Sequence, residues 1–90
     1  MTSGIYCIKN NINGKTYYGS SKDIEKRLST HKRSLRNKKH HNIHLQRAWE
    51  KYGEEHFNFF VIEIAPIENL FEKELNYVKE NIGGYNIGSV

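Results

Sequence analysis

The sequence is short of the residues that staple, kink or anchor a chain. Its 90 residues include a single cysteine and a single proline. One cysteine makes no internal disulfide and leaves no disulfide partner. That excludes the disulfide-framed class of small secreted domain and points to a reducing compartment. Cys7 lies in a β-rich run, where it serves as a small apolar residue. No helix start adjoins it to lower its pKa, so a catalytic thiol is not expected. No apolar run approaches the ~20 residues of a membrane span, so no membrane partner is expected. The first residues lack the basic stretch and apolar run of a secretion signal, which sets the expectation of an intracellular protein. Repeats, low-complexity tracts and linkers are missing too, so residues 1–90 are read as one domain. At 37% hydrophobic residues the core is small, and six tyrosines and four phenylalanines carry much of it.

What the chain does have begins at its first twenty residues. Gly4-Ile5-Tyr6-Cys7-Ile8-Lys9 and Lys15-Thr16-Tyr17-Tyr18-Gly19-Ser20 flank Asn13-Gly14. Asn-Gly between β-rich runs predicts a hairpin with a two-residue type I′ turn. In that register Ile8 faces Gly19 and Asn10 faces Tyr17. The period of two then puts Tyr6, Ile8, Tyr17 and Gly19 on one face and Tyr18 on the other. Two phenols share a surface with a glycine that leaves room beside them.

Charge is uneven. The net charge is +4, yet residues 22–39 hold eight of the fourteen Lys and Arg against Asp23 and Glu25 alone. That stretch carries +6 and the remainder −2. A basic stripe on a mildly acidic domain suits a polyanionic partner. A helix is predicted over about 22–37, capped by Ser20 or Ser21, with Ile24, Leu28 and Leu35 as its apolar stripe. His31 falls within that stripe and Arg27 at its edge. A second helix is predicted over about 42–52, from Asn42 as cap to Gly53. His40 and His44 are four apart, but no further ligands complete a zinc site. Residues 57–64 read as a strand that is apolar on both faces, which suits the centre of a sheet. Pro66 opens a third helix, about 67–81, with Ile67, Leu70, Phe71 and Val78 as its stripe. Glu74 sits in the middle of that stripe, while Glu72 and Lys73 point away. A carboxylate aimed inward needs a cation, a metal or hydrogen bonds. An ion pair with Arg27 and a metal site both meet that need. The chain closes with Gly83-Gly84 and a tail expected to return along the sheet and bring Asn86 near the cleft.

Tyr6, Tyr17, Arg27, His31 and Glu74 thus come inward from three elements. Such a set suits phosphodiester hydrolysis, which needs a cation facing the phosphate, a metal on the leaving oxygen and a group to handle water. Gly4-Ile5-Tyr6, ten residues, then Tyr17-Tyr18-Gly19 resembles the signature of the GIY-YIG nucleases. The resemblance continues through Lys22 to Arg27, His31, Leu45-Gln46-Arg47, Tyr52-Gly53, Glu74 and Gly84-Tyr85-Asn86-Ile87. It is strongest to the catalytic domains of phage intron-encoded homing endonucleases. Tyr18 stands where the signature usually has an aliphatic residue, and Tyr77 where relatives often carry tryptophan.

The resemblance implies an α+β fold, a three-stranded antiparallel sheet flanked by helices. It implies a metal-dependent endonuclease acting on double-stranded DNA inside a prokaryotic or phage-infected cell, as a monomer able to pair transiently on DNA. Mg²⁺, or Mn²⁺ in its place, would be held by Glu74. Arg27 would stabilise charge on the phosphate. Tyr6, Tyr17 or His31 would activate water, a choice the sequence leaves open. Asn86 would position site groups. His40, Lys26 and Gly19 are expected at the substrate, with proton transfer the alternative for His40. The rival reading is a nucleic-acid-binding module without catalysis.

Overall fold

In the computed structural model, which describes residues 2–86, the chain forms β1 (Gly4–Asn10), β2 (Thr16–Ser21), α1 (Ile24–Arg36), α2 (Ile43–Tyr52), β3 (Phe57–Ile64) and α3 (Leu70–Glu80). Single 3₁₀ turns at Glu54–His56 and Ile67–Asn69 precede β3 and α3. The strands form one antiparallel sheet in the order β2-β1-β3. The centre is therefore β1, and β3, expected at the centre, is an edge strand. Both neighbours pair with β1, so Ile5, Tyr6, Cys7 and Ile8 are fully buried while Val61 and Ile64 remain exposed. Among the described residues no helix is long and apolar enough to cross a membrane.

The hairpin register also differs from expectation. Tyr6 opposes Gly19 and Ile8 opposes Tyr17, so the loop has four residues, Asn11 to Gly14. Gly14 alone in this loop has a positive φ, 77°, whereas a type I′ turn needs two such residues. The side chains of Asn10 and Asn13 instead accept from the amides of Ile12 and Lys15, each at 2.9 Å, and fold the longer loop. The shift is two residues, an even number, so every side chain keeps its predicted face.

One face carries α1 and α2 over Tyr6, Ile8, Tyr17, Ile24, Leu35, Leu45 and Trp49. The other carries α3 over the smaller cluster of Ile5, Ala65 and Leu70. Asp23, rather than Ser20 or Ser21, caps α1 by accepting from Lys26 N. Asn42 caps α2 as expected, accepting from Leu45 N at 3.0 Å, and Gly53 ends it with φ 93°.

A bulge bends β3. Ile5 opposes Glu63 while Tyr6 opposes Val61, which leaves Ile62 as the extra residue. The bulge turns Glu63 to the α3 face, where Lys73 pairs with it at 2.6 Å and the Tyr77 hydroxyl donates to it at 3.0 Å. Lys73, expected to point away, is thus half-buried. The α3 stripe is rotated too, with Ile67 60% and Phe71 70% exposed. Residues 67–69 are 3₁₀, and that changes the phase before α3 begins.

Candidate active site

The cleft is built on the α1/α2 face of the hairpin. Tyr6 lies across Gly19, its cross-strand neighbour, so closely that a Cβ at Gly19 would collide with the Tyr6 ring and hydroxyl. Gly19, expected at the substrate, is buried beneath that ring. Its part is to seat the phenol.

Behind Tyr6 lies a buried chain of hydrogen bonds. The Tyr6 hydroxyl is 2.6 Å from His31 Nε2, and His31 Nδ1 is 2.7 Å from His40 Nε2. The Asn42 backbone N–H donates to His40 Nδ1 at 3.0 Å. A backbone N–H only donates, and this fixes the direction of the whole chain. His40 Nδ1 accepts, so its proton is on Nε2 and is donated to His31 Nδ1. The His31 proton is then on Nε2 and is donated to the Tyr6 oxygen. The hydroxyl proton of Tyr6 is left to point elsewhere. Both rings must be neutral for this arrangement, and burial holds both down, His31 at about 3 and His40 at about 4. His40 is held further by Gln46, whose Oε1 accepts from His40 N and whose amide donates to Leu35 O, both at 3.0 Å.

His40 therefore corrects the expectation that it meets substrate. Both its ring nitrogens are committed, and its ring is stacked between His31 and His41 at 4.9 and 4.5 Å. His41 is exposed and reaches the Tyr17 hydroxyl at 3.3 Å. No pattern in the sequence singles it out.

Arg27 is exposed on α1 rather than turned inward. Even so, its guanidinium acts on both phenols. Burial pushes Tyr6 far above the ordinary phenol range and Tyr17 adds to that, while Arg27 draws it back by hydrogen bonding and charge. Burial raises Tyr17 likewise, and Arg27 opposes it. Glu74 pushes both phenols up, so its charge reaches the same cleft. It arrives from α3, around the edge of β2, where Ser20 Oγ donates to its Oε1 at 2.9 Å. It is half-buried at a rim, not in the body of the protein, and among the described residues it forms no ion pair with Arg27. Lys26 lines a shallow groove beside Arg27. Cys7 is buried and its thiol is pushed up to about 11, a packing residue as expected.

Asn86 does not enter the cleft. Its amide accepts from Tyr18 N and donates to Tyr18 O, both at 2.9 Å, and so closes the open edge of β2 beside Tyr17. Asn81 braces it at 2.8 Å. Residues 87–90 of the expected tail lie outside the described residues.

Fold and signature together define an α+β catalytic domain whose site is assembled on a paired-tyrosine hairpin. The chain belongs to the GIY-YIG family, since the profile described as the GIY-YIG catalytic domain matches residues 2–86. It is 44% identical to intron-associated endonuclease 1 of Enterobacteria phage T4 over 97% of its own length and 37% of that protein's. It is 44% identical to a probable intron-encoded endonuclease 1 of Neurospora crassa over 73% of this chain and 20% of the relative. Among solved structures, the catalytic domain of homing endonuclease I-TevI matches with a TM-score of 0.90 at 40% identity, over 97% of this chain and 99% of that one. The chain thus spans little more than a third of the first of these curated relatives and a smaller share of the second.

Proposed function

We propose that this chain is a Mg²⁺-dependent endonuclease domain that hydrolyses one strand of double-stranded DNA per encounter. The observation that carries the reading is convergence: the phenols of Tyr6 and Tyr17 feel Arg27 from α1 and Glu74 from α3 at once. Neither a packing surface nor a simple DNA-binding face requires a carboxylate at that point.

The donor set fits a divalent cation. One half-buried carboxylate with an oxygen not taken by Ser20 suits Mg²⁺, which keeps several waters and takes phosphate oxygens. Glu74 is the residue that would hold it, with Mn²⁺ able to substitute, and the ion would supply charge neutralisation for the phosphodiester hydrolysis. Arg27 pairs with the scissile phosphate and steadies the charge that develops there. Among the candidates for handling water, the direction of the imidazole chain favours the phenols over His31. His31 has no free lone pair, because Nδ1 accepts from His40 and Nε2–H donates to Tyr6. It therefore cannot take a proton and acts as a donor that favours the phenolate of Tyr6. Tyr6 can receive the water's proton only as a phenolate, after its own hydroxyl proton has passed out to solvent; burial opposes that loss while Arg27 and the His31 donor favour it, and Tyr17 orients the water from the same face. A single such site cuts one strand, so a double-strand break needs a second visit or a second molecule.

The test is nicking of supercoiled plasmid in Mg²⁺. Wild type should convert it to the open circle, and Glu74→Ala should leave it supercoiled. Equal nicking by the two proteins would remove Glu74 from the site and overturn this reading. Salt-sensitive binding with no cleavage by either would favour a binding module.

A further inference from the structure

A second groove lies away from the phenols, between α2 and the hairpin loop. Its volume is about 390 Å³, and Lys15, His44, Arg47 and Lys51 line it over a floor that includes Ala48 and Tyr85. His44, Arg47 and Lys51 fall at i, i+3 and i+7, on one side of α2. Lys15 faces them from the loop. Among the described residues no carboxylate lines the groove. Among the described residues Lys15, Arg47 and Lys51 form no ion pair, whereas Arg36 is taken by Glu54 and Lys73 by Glu63. Like charges gathered without a counter-charge repel one another, and an anion seated among them relieves that cost.

We propose that this groove is a second binding site for the sugar–phosphate backbone of DNA. The inference deepens the proposed function and rests on it for the identity of the polyanion. Three observations select a backbone over a small anion. The cations are strung along the helix rather than focused on a point. From His44 to Lys51 the helix advances about 10 Å, and one strand carries a phosphate per about 3.4 Å of duplex axis. The groove also runs toward the cleft: His44 is three residues from His41, which reaches Tyr17, and Asn86 lines the groove while clamping Tyr18. A strand whose phosphate sits at Arg27 can therefore continue along α2. The basic stripe of α1 then holds one side of the scissile position and this groove the other. These contacts would position the duplex and carry no sequence information.

The test compares two variants of equal charge: Arg47→Gln with Lys51→Gln in the groove, and Lys9→Gln with Lys79→Gln outside it. All four side chains are exposed; Arg47, Lys51 and Lys79 stand on helix surfaces, which glutamine suits, and Lys9 stands near the end of β1. Binding of a short mixed-sequence duplex is measured without divalent cation between about 50 and 200 mM salt. The groove pair should lower affinity about tenfold and reduce the salt slope by nearly two, the worth of two phosphate contacts at about 0.9 each. The control pair should leave the slope at the wild-type value. Equal losses in both pairs overturn the groove and leave only net charge. Displacement of the duplex by inorganic phosphate at fixed ionic strength, in wild type but not in the groove pair, makes it a small-anion site and overturns the backbone assignment. Plasmid nicking at saturating DNA separates this proposal from the functional reading. The control pair should cleave there at the wild-type rate, and the groove pair should need more DNA than wild type to reach saturation. A wild type that binds through the groove and never cleaves would end the nuclease reading and leave the groove standing.

Discussion

The two faces of the sheet bury different things. The α1/α2 face encloses His31, His40, Asn42 and Gln46 among its apolar residues, and each of these polar side chains has a partner. The α3 face encloses Ile5, Ala65 and Leu70, leaves Phe71 and Ile67 in solvent, and holds an ion pair near its surface. A buried polar network is costly when any member lacks a partner, and it fixes geometry when all are satisfied. One face therefore specifies positions and the other mostly covers the sheet. The α3 side sends Glu74 around the edge of β2, so the cleft draws its carboxylate from the loosely specified side and its phenols and imidazoles from the tightly specified one.

The largest effect should come from disturbing the specified face at its seat. Gly19→Ala places a methyl group where the Tyr6 ring now lies. Tyr6 is 1% exposed and bonded to His31, so the ring has nowhere to go without breaking that bond. Overpacking of this kind costs about 1–3 kcal/mol. A shift of about 1 Å in a reacting group costs about a hundredfold in rate. Thermal melting and plasmid nicking should both fall. A variant that melts lower yet nicks at the wild-type rate would show that Tyr6 need not be held so tightly.

A smaller effect, also confined to this face, comes with acid. His31 and His40 titrate at about 3 and about 4 in the folded chain, below the usual histidine value near 6.5 that the unfolded chain retains. Between those limits the unfolded chain binds more protons, so stability is complete above about pH 6.5 and is lost as pH falls toward 4 and 3. The carboxylates of Glu25, Glu54 and Glu63 are held low as well, by hydrogen bonds from Thr2, Arg36 and Lys73 respectively, and their contribution is lost only below the ordinary carboxylate range. A melting series from pH 7 to 4.5 should therefore decline through the histidines alone. His40→Gln removes one titrating group and should shorten the decline. A flat series would contradict a neutral buried pair and with it the fixed direction of the hydrogen-bond chain.

These two tests lean on features that differ in how far the sequence displays them. The shared face of Tyr6, Tyr17 and Gly19 is visible because strand alternation survives any even error in register, and the error was two. The place of β1 at the centre is not visible. It depends on pairing with residues 47 to 60 positions away, and the apolar run of β3 suggested the opposite. The inward side of α3 was displayed only in part: Leu70 is buried and Glu74 reaches Ser20 of β2, but Ile67 and Phe71 are exposed. His31 was legible as a buried polar residue, since it interrupts an apolar stripe. Its bond to His40 was not, because the intervening loop turns back through a left-handed Lys38 with φ 60° that no pattern announces. Ser20, Gln46 and His41 act through contacts between elements, and their local sequence carries no mark of them.

The smallest effect should come from two adjacent residues that point to opposite faces. The Tyr17 hydroxyl meets His41 in the cleft, while the Tyr18 ring lies 5.3 Å from the Tyr77 ring under α3. Tyr18 is also the departure from the family signature, which usually has an aliphatic residue there. If the α3 face mainly covers the sheet, Tyr18→Val loses only an aromatic pair, about 0.5–1.5 kcal/mol, and keeps the strand through its β-branched side chain. Asn86 bonds the backbone of Tyr18, not its side chain, so the edge of β2 stays closed. Melting should fall slightly and nicking should stay at the wild-type rate. Tyr17→Phe removes one oxygen and should do the reverse, leaving melting nearly unchanged and slowing cleavage. A Tyr18→Val protein that nicks slowly while melting normally would show that the two faces are coupled through β2, and the division between a specifying face and a covering one would fail there.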